Sequence, residues 1–245
     1  MASTGQRPSR REQRRAETLT EIKARAMEQI AAGGVEGLSL SAVARAMEMA
    51  PAALYRYFDS KDDLLAAVVV DAYDSLATSL DAAGATPPQK ASGRLVAVAR
   101  AYRDWALNNP NAYRLIFQHS SGSGHDHAPE ATLAAAQRSM DVFLHAIAPL
   151  HPAPGPRLDN ALARDITRWG QRSAIPDLPV TTLYAGLSFW TRLHGLISLQ
   201  LGHHLEATGI DPAKLYEAEI DALLSLTTAS APNANQHRTG AQASR

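Results

Sequence analysis

The sequence predicts an all-α protein, and three observations support this fold class. Apolar residues recur at spacings of three and four, as in Leu19, Ile22, Ala26 and Ile30, which places them on one helix face. No run of alternating β-branched residues bounded by turn residues indicates a strand. Hydrophobic residues make up 45% of the 245 residues, which suffices for a buried core. We therefore expect a helical protein of one or two domains.

Caps and breakers predict the helix boundaries. The first helix should end at Gly33 and Gly34, because glycine accepts the left-handed C-cap conformation. Two short helices should follow, from Ser39 or Ser41 to Met47 and from residue 51 to residue 57. Ser60 should cap a long helix with acidic residues in its first turn. Further helices are expected at residues 94–107, 112–118, 130–148, 157–173, 180–205 and 211–227.

Charge and composition exclude several classes of protein. The 24 basic and 24 acidic side chains cancel, so any nucleic-acid surface must be local. The absence of cysteine excludes a disulfide framework and fits a reducing cytosol. The basic N-terminus lacks the apolar segment of a secretory signal, and the longest apolar run, residues 64–70, is far shorter than the roughly 20 residues that span a bilayer. We expect a cytoplasmic protein without a membrane partner.

Residues 38–65, LSLSAVARAMEMAPAALYRYFDSKDDLL, have the pattern of a helix-turn-helix. The second short helix is small enough to enter a major groove about 12 Å wide. Its small residues could touch thymine methyl groups, whereas Ser41, Arg45 and Arg56 could read base edges, unless the two arginines are merely solvated. The candidates to face DNA are Ser39, Ser41, Arg45, Pro51, Ala52, Ala53, Tyr55, Arg56, Tyr57 and Lys61.

This stretch resembles the TetR family of bacterial repressors. The signature is Ala-Leu-Tyr-Arg-Tyr-Phe-Asp-Ser-Lys at positions 53 to 61, followed by two leucines at 64 and 65. The resemblance implies that Tyr55, Tyr57 and Lys61 bind phosphates. It also implies an N-terminal three-helix DNA-binding domain, followed by a larger helical domain for ligand binding and dimerisation.

Two positions depart from the family pattern. Glu48 occupies the turn position that usually holds glycine, and a left-handed conformation there would strain a residue with a side chain. Ala50 replaces the usual Ser or Thr cap, which forfeits about 1 kcal/mol. We expect a turn that is less rigid than usual.

The N-terminal segment is strongly basic. It carries Arg7, Arg10, Arg11, Arg14 and Arg15 against Glu12, which gives five positive charges minus one, a local charge of +4. We interpret it as a flexible arm that enters the minor groove or follows phosphates, with a solvated tail as the alternative. The predicted organisation is therefore an arm at 1–15, a helix-turn-helix domain at 16–60, an effector-binding and dimerisation domain at 61–227 and a disordered tail at 228–245.

Two patterns in the C-terminal half resemble one subgroup of the same family. They are AYRDWALNNPNAYRLIF at 101–117 and FWTRLHGLISLQLGHHL at 189–205, the second of which is similar to a WHG-type C-terminal domain. The resemblance implies a small effector bound between helices. Aromatic residues on helices could equally form plain core, and His194 could be a core histidine. The candidate effector-binding residues are Tyr102, Trp105, Tyr113, Phe117, Trp169, Phe189, Trp190 and His194.

These features lead to a functional expectation. We expect a homodimeric transcriptional repressor that binds a palindromic operator in double-stranded DNA and is released by an apolar or aromatic small molecule. An activator of the same fold is one alternative, and an all-helical carrier or enzyme is another. The sequence has no Gly-rich phosphate loop, nucleophile elbow or His-Glu-x-x-His motif, so we expect no enzyme and no cofactor. Nothing fixes His119, His125 and His127 as ligands, so no metal site is expected.

Overall fold

The computed structural model describes residues 9–85, 90–118, 129–152, 156–175 and 177–228, and within these ranges the chain is helical without a strand. This confirms the all-α fold class. None of the helices described is long and apolar enough to cross a membrane. The helices are α1 (Arg10–Gly33), α2 (Leu40–Ala46), α3 (Pro51–Leu54), α4 (Lys61–Ala85), α5 (Ala91–Asn108), α6 (Pro110–Phe117), α7 (Pro129–Ile147), α8 (Asn160–Gly170), α9 (Val180–Leu201) and α10 (Pro212–Thr228).

The chain folds as two compact units, and neither is continuous in sequence. The first unit joins the chain up to Leu80 with Tyr102–Met140, and the second joins Asp81–Ala101 with the chain from Asp141 onward. Helices α1, α2, α3 and α6 belong to the first unit, α8, α9 and α10 to the second, and α4, α5 and α7 contribute to both. The functional division at residue 60 remains a prediction.

The start of α1 differs from the sequence prediction. Ser9 Oγ accepts the Glu12 N–H at 3.2 Å, and the Glu12 carboxylate accepts the Ser9 N–H at 2.7 Å, which together form a capping box. The hydrogen bond from the Ser9 backbone also lowers the pKa of Glu12. Residues 10–15 are therefore helix and not a flexible arm. Arg7 lies outside the described residues, as do residues 229–245 of the predicted tail.

The core of the first unit supports the helix-turn-helix. Ile22, Ala26 and Ile30 form the buried face of α1, at the spacing that the sequence predicted. This helix packs against α2 and also against α6. It ends where the sequence predicted, since Gly34 caps it with a φ of +70°.

Close helix contacts and polar bonds hold the second unit together. A side chain at Gly170 of α8 or Gly186 of α9 would collide with a leucine, because a Cβ there would lie 2.4 Å from Leu183 and 2.6 Å from Leu144, respectively. The Arg100 guanidinium of α5 donates to both carboxylate oxygens of Glu217 of α10, at distances down to 2.7 Å. At these two glycines a leucine side chain thus packs directly against the backbone of a helix of this unit.

Candidate functional site

The two short helices α2 and α3 form a tight pair. Val43 and Ala44 of α2 and Leu54 of α3 are buried, and the Met49 N–H closes the turn by donating to the Ala44 carbonyl at 2.9 Å. Glu48 sits in this turn with a φ of +54°. The family resemblance marked this as a position usually held by glycine, and a left-handed conformation costs an L-residue roughly 1–2 kcal/mol. The turn is therefore strained.

We expect Glu48→Gly to raise the melting temperature. Glycine relieves the left-handed strain, although the greater flexibility of the unfolded chain lowers the gain in the free energy of unfolding by up to about 1 kcal/mol. A net gain near 1 kcal/mol corresponds to roughly 2–4 °C in a protein of this size. Glu48→Gln removes the charge but keeps the strain, so it is the control in a thermal unfolding experiment. Equal melting temperatures for the two variants would contradict the strain.

The second helix of the pair is shorter than the sequence predicted. It is α-helical only over Pro51–Leu54, whereas the prediction extended to residue 57. Beyond it the turns are tighter than those of an α-helix, because the Arg56 and Tyr57 N–H groups donate to carbonyls three residues earlier, at 3.4 and 2.8 Å. The N-cap residue Ala50 makes no side-chain hydrogen bond, which confirms the missing cap.

The structure places the predicted DNA-facing side chains on or near the surface around this pair. Ser39 also caps α2, where its hydroxyl accepts the Ala42 N–H at 3.4 Å. Tyr55 is 49% exposed despite its large ring. The exposed members are Ser39, Ser41, Arg45, Pro51, Ala52, Tyr55 and Arg56, and the half-buried members are Ala53, Tyr57 and Lys61.

Lys61 stands at the start of α4 beside an acidic residue. Its ammonium donates to the Glu36 carbonyl at 3.4 Å and lies 3.9 Å from the carboxylate of the same residue. The Ser60 hydroxyl caps this helix by accepting the Asp63 N–H at 3.0 Å, as the sequence predicted. Lys61 is thus a cation at the surface, and its partner Glu36 has a side chain that is 90% exposed.

A basic cleft lies next to the helix pair. Arg15 stacks over the Tyr57 ring, with its guanidinium carbon 4.8 Å from the ring centroid, within the range of a cation–π contact. The cleft has a volume of about 750 Å³. It is lined by Arg10, Arg11, Arg14, Arg15 and Thr18 of α1 together with Arg56 and Tyr57. The sequence did not show that the α1 arginines share one cleft with Arg56 and Tyr57, since no local spacing relates them.

Four of the predicted effector-binding residues lie in the first unit, where one of them, Phe117, contacts Tyr73, a tyrosine that the sequence reasoning missed. Phe117 lies 5.0 Å from Tyr113, 6.4 Å from Tyr102 and 6.0 Å from Tyr73, between ring centroids. Tyr73 is one of the buried residues of α4, and burial raises its pKa to about 12. Trp105, also buried, donates its indole N–H to Ser75 at 3.1 Å. We call Tyr73, Tyr102, Tyr113 and Phe117 the aromatic cluster.

The other four predicted effector-binding residues lie in the second unit. The Phe189 ring lies 6.4 Å from that of Phe143, and the rings of Trp190 and His194 stack at 5.1 Å. Trp169 is half-buried on α8. The set that the sequence grouped together is therefore divided between the two units.

We expect His194 to make stability depend on pH. Burial lowers its pKa, so the unfolded chain takes up a proton before the folded protein does. The free energy of unfolding should therefore fall as the pH drops below about 6.5, the usual histidine value. In urea titrations at several pH values, His194→Gln should remove this pH dependence of the free energy of unfolding. The control His204→Gln, at an exposed site, should keep it. An unchanged pH profile in His194→Gln would refute the role.

Within the described residues, no three His, Asp or Glu side chains are arranged to hold a metal ion. His119, His125 and His127 lie outside these residues. The geometry thus presents two features, an exposed helix pair beside a basic cleft and a buried aromatic cluster.

Two family models match the chain. The model described as bacterial regulatory proteins, tetR family, matches residues 22–68, and the model described as tetracyclin repressor-like, C-terminal domain, matches residues 95–223. The first match contains the helix pair, and the second contains three of the four residues of the aromatic cluster.

Relatives of known sequence and structure agree. HTH-type transcriptional regulators of Mycobacterium tuberculosis and Mycobacterium bovis are 33% identical over 202 residues, which cover 79% of this chain and 85% of theirs. The crystal structure of the regulatory protein SCO4313 superposes with a TM-score of 0.74 at 38% identity, over 89% of this chain and all of that one. A regulator named FadR from Bacillus subtilis, in complex with stearoyl-CoA, shares the fold at a TM-score of 0.57 and 13% identity, over 84% of this chain and 97% of that chain. The C-terminal match, which covers more than half of the chain, and the identity to these regulators show that this protein is a DNA-binding transcriptional regulator of the TetR family.

Proposed function

We propose that this regulator is a homodimeric repressor that leaves a palindromic operator when a small molecule binds. The observation that carries this proposal is that the helix pair and the aromatic cluster belong to one compact unit. Dimerisation is typical of the family, and it would place two recognition helices about 34–36 Å apart, in successive major grooves. We propose no catalytic role.

In this proposal the side chains around the helix pair contact DNA in two ways. Tyr55, Tyr57 and Lys61 donate to phosphates and set the position of the helix pair. Ser41, Arg45 and Arg56 reach base edges, where arginine favours guanine. The second helix begins with Pro51, Ala52 and Ala53, whose small side chains let its backbone approach thymine methyl groups.

Contacts inside the first unit support a route from ligand to DNA. Helix α6 carries Tyr113 and Phe117 and packs against α1, the first helix of the DNA-binding domain. Phe117 also meets Tyr73 on α4, the helix that begins at Lys61. A ligand that displaced Phe117 would therefore disturb α1 and α4 together.

Phe117 is the residue at which a ligand would enter this cluster. Its ring is half-buried, whereas Tyr102 and Tyr113 have no exposed surface. An apolar or aromatic effector could replace the contacts that Phe117 makes, because dispersion and apolar burial do not depend on the identity of the partner. The fold accommodates such ligands in at least one other regulator, the one in complex with stearoyl-CoA.

A ligand titration tests this proposal. We expect acyl-CoA or aromatic compounds that release the protein from DNA to alter its tryptophan fluorescence. Operator DNA should lower the affinity of the protein for such a compound, by the same factor by which the compound lowers the affinity for DNA. Phe117→Leu should weaken the response to ligand and keep DNA affinity. Ligands that bind free and DNA-bound protein equally well would defeat release as a mechanism, although not DNA binding itself.

A further inference from the structure

We propose that the basic cleft binds backbone phosphates of the duplex that flanks the segment read by the helix pair, so that α1 acts as a rigid phosphate clamp. The inference rests on the proposed mode of DNA binding. It adds a second anion site to the DNA-binding face and predicts a binding site longer than the recognition helices alone require.

The first part of α1 is not explained by packing. Its first buried residue is Ile22, although the helix begins at Arg10. Residues 10–17 are all exposed, and these eight residues extend about 12 Å at 1.5 Å per residue. A capping box stabilises this extension, which contributes no buried side chain.

The arginines of this extension share one helix face. Positions 10, 11, 14, 15 and 18 fall within about 140° of arc at 100° per residue, and all five line the cleft. Arg56, which reaches base edges in the proposed function, lines the cleft as a fifth guanidinium, so the phosphates are left to the four arginines of α1. None of the seven lining residues is acidic. The acidic Glu12 uses its carboxylate to accept the Ser9 N–H. Five like charges in one cleft repel each other, and a bound anion would relieve that repulsion.

The size and position of the cleft favour duplex DNA as that anion. At about 750 Å³ it is larger than a single phosphate requires, and a DNA strand supplies phosphates in series. It includes Arg56 and Tyr57, the neighbours of Tyr55 at the end of the recognition segment. Arginine also binds phosphate through two parallel hydrogen bonds. The Arg15 contact holds the Tyr57 ring at the junction between the clamp and the helix pair.

The test compares two duplexes with the same footprinted operator, one ending at the protected core and one extended by flanking base pairs. The clamp variant carries Arg10→Gln, Arg11→Gln and Arg14→Gln, since glutamine keeps a helix propensity close to that of arginine. It keeps Arg15, because that side chain holds the Tyr57 ring of the core interface. Its matched control removes the same charge from exposed arginines of the second unit by Arg157→Gln, Arg164→Gln and Arg172→Gln. Affinities are measured across a series of salt concentrations.

On the extended duplex we expect the clamp variant to bind at least tenfold more weakly, with a salt slope lower by about 0.9 for each phosphate that the variant no longer neutralises. On the core duplex it should match the wild type, and the control should match the wild type on both. Equal slopes for clamp variant and wild type on both duplexes would overturn the proposal. An equal loss of affinity on both duplexes would place the arginines inside the core and overturn the flanking position. If the wild type gave no footprint from which to cut these duplexes, the proposed function itself would fail.

Discussion

Replacing Tyr102 by alanine should lower the free energy of unfolding by about 3–5 kcal/mol, the cost of truncating a large buried aromatic residue. Tyr102 has no exposed surface, and its ring packs edge-on against Phe117 at 6.4 Å. Truncation would leave a cavity in the aromatic cluster that tightly packed neighbours cannot fill. Urea denaturation of the full chain measures the loss.

Tyr55→Ala is the matched control for this substitution. The same atoms are removed, but from a ring that is 49% exposed, so the loss should stay under about 1 kcal/mol. A small effect of Tyr102→Ala would mean that the aromatic cluster does not hold the first unit together. Similar losses of stability for the two variants would show that burial of the ring does not decide its contribution.

Lys61→Gln should weaken operator binding about 100-fold. A charge-assisted hydrogen bond to phosphate contributes roughly 1.5 kcal/mol or more, which is about tenfold in affinity, and a dimer loses two of them. The salt slope should fall by about 1.8, and unrelated DNA should be affected equally, because phosphates carry no sequence information. Gel-shift titrations at several salt concentrations provide both quantities.

Glu36→Gln is a second test of this contact, because it should raise the affinity for operator DNA where Lys61→Gln lowers it. Its carboxylate lies 3.9 Å from the Lys61 ammonium, so it competes with a phosphate for that cation. Neutralising it should raise affinity severalfold in the wild type and have a smaller effect in Lys61→Gln. If Lys61→Gln left affinity and salt slope unchanged, Lys61 would not contact DNA.

Local features of the sequence predicted local structure well. The Ser60 cap was identified from residue type and position, and the family pattern drew attention to Glu48, which is left-handed, and to Ala50, which provides no cap. The prediction for residues 10–15 was wrong, because the run of arginines suggested a flexible arm. The Ser9-Arg10-Arg11-Glu12 capping box was the pattern that could have located it.

Features that depend on distant parts of the chain were harder to predict. The subgroup pattern and its aromatic side chains indicated Tyr102, Tyr113 and Phe117 as candidate effector-binding residues, but the sequence did not show that Tyr73 of α4 completes their cluster. Nor did it show that Tyr102–Met140 belongs with the N-terminal helices while Asp81–Ala101 belongs with the C-terminal ones. Periodicity describes which face of a helix is buried and says nothing about which helix covers it.

The most direct test of the account is a footprint on the DNA upstream of the gene that encodes this protein. We predict specific protection of a palindrome whose half-sites lie one helical turn apart, about 10–10.5 base pairs, with two chains bound per operator. An effector should remove the protection. Binding no tighter than to unrelated DNA would contradict the account, and if a ligand still bound the protein, an all-helical carrier or enzyme would be favoured instead.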